Sequence, residues 1–217
     1  MSLAIFDLDN TLLNGDSDHA WGEFLCEKGI VDADEYSRAN DHFFHLYQQG
    51  TLDIHEFLQF ALRPLTQHSP EQLNSLHQQF MQERIEPMIL DKGLALLKKH
   101  KDQGDFLLII TATNSFVTHP IAQRLGVDAI LATDPEQIDG QYTGKVAGVP
   151  CFQDGKVTRL NMWLEETGHS LENSYFYSDS RNDLPLLKIV DNPVVVDADE
   201  ALLQIAKELH WPSISLR

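Results

Sequence analysis

The chain has 217 residues, 42% of them hydrophobic, with a formal charge of -17. That length suits a core domain plus a small accessory one, and the apolar content allows a packed interior, which excludes a disordered chain. The charge excludes nucleic acid and anionic membrane as partners, since both need clustered Lys and Arg.

The first element is an apolar strand, Leu3–Phe6, which runs into Asp7-Leu8-Asp9-Asn10-Thr11. Side chains alternate in extended chain, so Asp7 and Asp9 face one cleft where the strand gives way to a loop. One carboxylate can attack phosphorus and form an acyl phosphate. The other can protonate a departing alkoxide and then deprotonate water. The same pair equally serves as a turn former or helix cap, and the rest of the chain decides.

From Asp16 to about Pro87 the periodicity is helical throughout, with helices predicted at about Asp18–Lys28, Asp32–Gln48, Asp53–Ala61 and Ser69–Ile85. Gly29, Gly50 and Pro64 punctuate them. Asp16 and Asp18 open this block and suit either a cationic amine or the capped first turn of a helix. His42 and His45 share a helix face, with no further metal-ligating residue beside them.

Beyond Leu90, helices alternate with short apolar runs. The order is helix Asp91–Lys101, strand Phe106–Thr111, helix Ser115–Leu125 and strand Ala129–Ala132. A small hairpin of Gln141–Thr143 with Val149–Phe152 precedes a helix from Lys156 through Glu166. Strand Tyr175–Tyr177, helix Leu184–Ile189 and strand Val194–Val196 close the pattern. Such alternation predicts an α/β fold, a mainly parallel sheet with helices on both faces. Ligands bind such sheets beyond the carboxyl ends of the strands.

Asp7, Thr111 and Asp179 fall at those ends, and three further motifs join the first. Thr111-Ala112-Thr113-Asn114 couples a strand to a helix start that can hold an anion through backbone amides and a hydroxyl. Lys156 can offset the charge of a nucleophile and a phosphate. The loop after Tyr177 carries Asp179, Asn182 and Asp183. Hard oxygens of this kind suit magnesium, although an acidic helix start would read the same way.

Taken in order, Asp-x-Asp-x-Thr, the strand ending in Thr111, Lys156 and Ser-Asp-Ser-x-Asn-Asp resemble the haloacid dehalogenase superfamily of phosphatases across nearly the whole chain. The resemblance is to subfamily IB, the phosphoserine phosphatase-like branch. It implies a Rossmann-like core of residues 1–15 and 88–217 and an all-helical cap of the C1 type at residues 16–87. It implies Asp7 as nucleophile and Asp9 as general acid and base. Thr111, Ala112, Asn114 and Lys156 would contact phosphate. Magnesium would sit on Asp7, Asp179 and the Asp9 backbone carbonyl, with Asn182 and Asp183 orienting that shell. The acid at Asp9 marks a hydrolase rather than a pump that keeps its phosphoenzyme.

Substrate choice then falls to the cap. By the same resemblance Asp16 occupies the place of an amine-binding Glu, and Gln59 the place of an Arg that clamps a carboxylate. Losing that fork removes bidentate recognition of a carboxylate, with Arg63 one turn later as a replacement. The pattern suits an amino-bearing phosphate ester without a carboxylate, such as histidinol phosphate, with His19, Trp21, His42 and His45 as candidate contacts. Phosphoserine is the alternative substrate, and a non-hydrolytic phosphoryl-binding module the alternative of another class.

No apolar stretch reaches the roughly 20 residues that span a bilayer, and the start of the chain lacks a basic then apolar signal pattern. The expectation is a cytoplasmic enzyme. Cys26 and Cys151 form no Cys-x-x-Cys pair, which argues against a disulfide framework or zinc site.

Overall fold

The computed structural model describes residues 2–217. Strand β1 (Leu3–Phe6) is buried along its whole length, because both of its faces are covered. Leu3 and Ile5 pack into one apolar cluster with Leu108, Ile110, Phe176 and Val195. Ala4 and Phe6 pack into another with Leu107, Ile109, Tyr177 and Val196. Strict alternation between two covered faces is what a parallel sheet requires.

The remaining strands are β2 (Phe106–Asn114), β3 (Ala129–Thr133), β4 (Pro135–Ile138), β5 (Gln141–Val146), β6 (Tyr175–Ser178), β7 (Asn192–Val196) and β8 (Ser213–Ile214). Six of them form one sheet in the order β3-β2-β1-β6-β7-β8, and each neighbouring pair is parallel. The carboxyl ends of β1, β2 and β6 therefore lie side by side. That adjacency brings Asp7, Thr111 and Asp179 to one edge.

β4 and β5 form a separate antiparallel hairpin, which corrects the sequence expectation. Asp139 and Gly140 both take positive φ, 52° and 77°, as a two-residue turn matched to strand twist demands. Residues 135–138 therefore pair with Gln141–Val146, and Val149–Phe152 is not a strand.

Helices α1 (Ser17–Glu27), α2 (Ala33–Gln49), α3 (Ile54–Leu62) and α4 (Pro70–Phe80) start where short polar residues stop the chain. Asp16, Asp32, Asp53 and Ser69 each accept a backbone N–H of the first turn, satisfying donors that a helix start leaves free. Where sequence periodicity predicts one helix to Ile85, α4 widens into a π turn over Met81–Ile85 before the short α5 (Glu86–Met88). Pro87 has no N–H to give to the carbonyl of Glu83, which removes one regular bond there.

Trp21 and Phe24 of α1 and Phe80 of α4 belong to the same apolar cluster as β1. Leu58 and Leu62 of α3 form a smaller cluster with Leu65 and Leu73. The helical block is thus seated on the sheet by its outer members, and its middle packs against Tyr142 and Val146 of β5 and against Phe116.

Helices α6 (Asp91–Asp102), α7 (Ser115–Leu125), α8 (Asp154–Thr167), α9 (Leu184–Leu187) and α10 (Glu200–Glu208) cover the sheet. Leu97 and Ile121 face one side, Leu160, Leu187 and Leu202 the other. Among the described residues no helix is long and apolar enough to cross a membrane. Cys26 and Cys151 are both free thiols.

Candidate active site

After β1 the chain turns back sharply. Asn10 adopts a left-handed φ of 57°, and its N–H donates to the carbonyl of Gly15 at 2.9 Å. The turn leaves Asp7 and Asp9 almost wholly buried, 2% and 7% exposed. Thr11 Oγ1 donates to Asp179 Oδ1 at 3.2 Å and accepts from the Asp179 N–H at 3.1 Å. Two motifs far apart in sequence are thereby tied together.

Lys156 arrives from the first turn of α8. Gly155 makes that approach feasible, since a Cβ built on it would lie 2.0 Å from the Pro150 carbonyl oxygen. The buried ammonium sits 3.0 Å from Asp7 Oδ1 and 2.7 Å from Asp183 Oδ1. Asp183 is held in turn by the Ser178 hydroxyl at 2.7 Å. Burial works to lower the Lys156 pKa, but Asp183 and Asp7 outweigh it and hold the group charged.

Negative charge exceeds this one cation. Burial raises the Asp7 carboxyl, Lys156 opposes that, and Asp183 and Asp9 add to it. Asp179 is raised by burial and then by Asp7 and Asp183. Burial and then Asp16 push Asp9 up to about 7. Among the described residues no three His, Cys, Asp or Glu side chains converge into a metal cage. Asp7 and Asp179 nevertheless present hard, under-neutralised oxygens, a donor set that fits magnesium, which takes one or two carboxylates and keeps several waters.

Asp7 and Asp9 open onto a cavity that Thr111, Ala112 and Thr113 also line from the sheet side. Its other wall holds Asp16, Asp18, His19, Asn40, Phe43, Phe44, Tyr47, Ile54 and Phe57. Asp16 and Asp18 are both raised by burial. Asp16 also caps α1, accepting from the N–H groups of Asp18 and His19 at 3.0 and 2.8 Å. The capping reading of that acidic turn therefore holds, and both carboxyl-bearing residues line the cavity.

The structure brings together Asp7, Asp9, Asp16, Thr111, Ala112, Lys156, Asp179 and Asp183. Asn182 joins them indirectly: its Nδ2 donates to the Tyr47 carbonyl at 3.1 Å, and Arg181 donates to the Gln48 carbonyl at 3.1 Å. The end of α2 is thus pinned to the loop that carries Asp179.

Two predicted substrate contacts are displaced. Gln59 is exposed and lies by Leu58 and Gly144 on an outer depression, because residues two apart on a helix face different sides. Phe57 takes the inner side instead. Asn114 caps α7, its Oδ1 accepting from the Val117 N–H at 3.3 Å, and is not among the cavity residues. Its neighbour Thr113 is, and its hydroxyl donates to Asp9 Oδ2 at 2.8 Å. Ending β2 at Thr111 hid this, since strand alternation carried through Asn114 sets Thr113 on the side of Thr111. Arg63 is half exposed, 3.9 Å from Glu35, and does not line the cavity. Of the proposed imidazole contacts only His19 does; Trp21 is core, and His42 and His45 are exposed.

Residues 4–188 match the family model described as haloacid dehalogenase-like hydrolase. A histidinol-phosphatase of Neisseria meningitidis serogroup C (strain 8013) is 47% identical over 220 residues, covering 100% of this chain and 99% of that protein. A phosphoserine phosphatase of Mycobacterium tuberculosis is 31% identical over 211 residues, covering 96% of this chain and 68% of that protein. A crystal structure of a protein with unknown function from Bordetella pertussis Tohama I superposes with a TM-score of 0.94 at 43% identity, covering 100% of this chain and 99% of that one.

Proposed function

We propose that this chain, which belongs to the haloacid dehalogenase-like hydrolases and is a phosphoric monoester hydrolase, cleaves histidinol phosphate through an aspartyl phosphate on Asp7. One observation carries the choice of substrate. The cavity wall facing Asp7 and Asp9 offers Asp16 and Asp18 with the rings of Phe43, Phe44 and Phe57, and no Lys or Arg is among its lining residues. A substrate ammonium finds carboxylates there, and an imidazole finds apolar faces. A substrate carboxylate would be desolvated among like charges. The relative named histidinol-phosphatase supports the same choice.

In this reading Asp7 attacks phosphorus while Asp9 gives its proton to the departing alcohol, then takes one from water as the acyl phosphate is hydrolysed. Lys156 stabilises charge on the nucleophile and phosphoryl group. The Thr111 hydroxyl accepts from the Thr113 N–H, which leaves its O–H to donate to phosphate. Magnesium, held by Asp7, Asp179 and the Asp9 carbonyl, would neutralise phosphoryl charge. The helices of residues 16–87 act as the cap and exclude bulk water from residues 1–15 and 88–217, the catalytic core.

Asp179→Ala is expected to raise the magnesium concentration for half-maximal activity at least about 10-fold, since a site with few ligands loses one. Titrating magnesium into chelator-treated enzyme measures this. An unchanged requirement, or full activity in thoroughly chelated buffer, would remove Asp179 from the metal.

Selectivity should respond to the inner face of α3 and not to its outer one. Ile54→Arg places a guanidinium on the cavity wall and is expected to shift the kcat/KM ratio toward phosphoserine about 10- to 100-fold, the range of a charge-assisted hydrogen bond. Gln59→Arg is expected to leave that ratio unchanged. The opposite pattern, with Gln59→Arg effective and Ile54→Arg silent, would contradict this placement of the leaving group.

A further inference from the structure

The geometry points to Thr113 as a positioning residue that holds the Asp9 carboxyl in line for proton transfer, an inference that rests on the reading of Asp9 as general acid. Asp9 is gripped at both oxygens. The Ser17 N–H donates to Oδ1 at 2.6 Å, and the Thr113 hydroxyl donates to Oδ2 at 2.8 Å. Two donors on opposite oxygens fix the plane of the carboxyl, where either one alone leaves a hinge. The two holders differ in kind. A backbone N–H is fixed in direction, whereas a hydroxyl can turn to keep donating to a carboxyl oxygen that is ionised or protonated, since a carboxylic acid retains acceptor capacity beside the O–H it needs for the leaving oxygen. The Thr113 contact can therefore persist through both halves of a cycle in which Asp9 gives and regains a proton.

Thr113 is itself well placed for this. It is 5% exposed, its N–H is spent on Thr111 Oγ1 at 3.2 Å, and Thr111 lines the same cavity. One strand segment thus orients the phosphate-facing hydroxyl and the acid together. In the step concerned, the bond from Asp7 to phosphorus forms as the ester P–O bond breaks. The bonding electron pair stays on the leaving oxygen, which takes the Asp9 proton and departs as the alcohol. A carboxyl that swings off line would fail most where that oxygen most needs the proton.

The test compares an alkyl phosphate with p-nitrophenyl phosphate, whose phenolate leaves without protonation. Because kcat/KM runs only through the first irreversible step, its aryl-to-alkyl ratio isolates the acid from later water attack. Thr113→Val is expected to raise that ratio about 10- to 100-fold over wild type, the scale of an ångström-level misplacement, and Thr113→Ser to return it to within about 3-fold. Should Thr113→Val not fold, Thr113→Ala carries the same comparison. Asp9→Asn is the reference. If Asp9→Asn raises the ratio and the Thr113 variants do not, or if Thr113→Ser fails to restore it, the positioning role is overturned. If Asp9→Asn leaves the ratio unchanged, the acid assignment itself falls.

Discussion

Asp7→Asn is expected to abolish phosphate release, by about 10⁴-fold or more, the scale on which removal of a covalent nucleophile acts. The amide is a poor nucleophile and a weaker magnesium ligand, so attack and charge neutralisation fail together. The fold should survive. The Asp7 N–H still donates to the Tyr177 carbonyl at 2.9 Å, and Lys156 keeps its contact with Asp183 at 2.7 Å. Steady-state assay of the purified variant, with mass spectrometry of acid-quenched enzyme for a phosphorylated Asp7 peptide, checks both halves. Activity above a few per cent of wild type, with contamination excluded, would move the nucleophile elsewhere.

Asp9→Asn should slow turnover of an alkyl phosphate by about 10²- to 10⁴-fold, the usual worth of a placed acid or base. Burial and the neighbouring Asp16 hold the native carboxyl at about 7, where one group can both donate and accept near neutral pH. The amide does neither. Magnesium affinity should change little, because the reading gives the metal the backbone carbonyl of Asp9 and not its side chain. Parallel titrations of activity and of magnesium binding separate the two. Unchanged turnover would dismiss the acid, and lost metal binding would show the side chain to be a ligand.

The sheet was legible in the sequence because its strands are short, apolar and bounded by polar loops. Leu3–Phe6 and the helix Ser115–Leu125 fall where periodicity puts them. The hairpin was misplaced because Val149–Phe152 is apolar enough to pass for a strand, whereas Asp139-Gly140 held the turn signal. The C-terminal α10 was missed, although Asp199 caps it and it is as long as α3, whereas β8, with two residues, is too brief to register.

At the site, chain order and spacing carried Asp7, Asp9, Lys156, Asp179 and Asp183. Gln59 depended on aligning a helix by spacing alone, and an error of two residues turns a side chain from the cavity to solvent. Tyr47 had no motif to announce it. It lines the cavity with Asp7, and Asn182 and Arg181 pin the end of α2 beside Asp179, a tertiary contact across more than 130 positions that no local pattern encodes. The non-hydrolytic alternative is set aside by the family and by the phosphatases this chain resembles.

An acidic, aromatic wall with no Lys or Arg among its described residues should select an amino phosphate ester lacking a carboxylate. Competing histidinol phosphate against phosphoserine on the wild-type enzyme, with magnesium present, tests it most directly. The expected result is a kcat/KM for histidinol phosphate at least about 10-fold higher, the cost of one unmet charged contact. Equal values or a preference for phosphoserine would contradict the claim and require a carboxylate clamp that this cavity does not display.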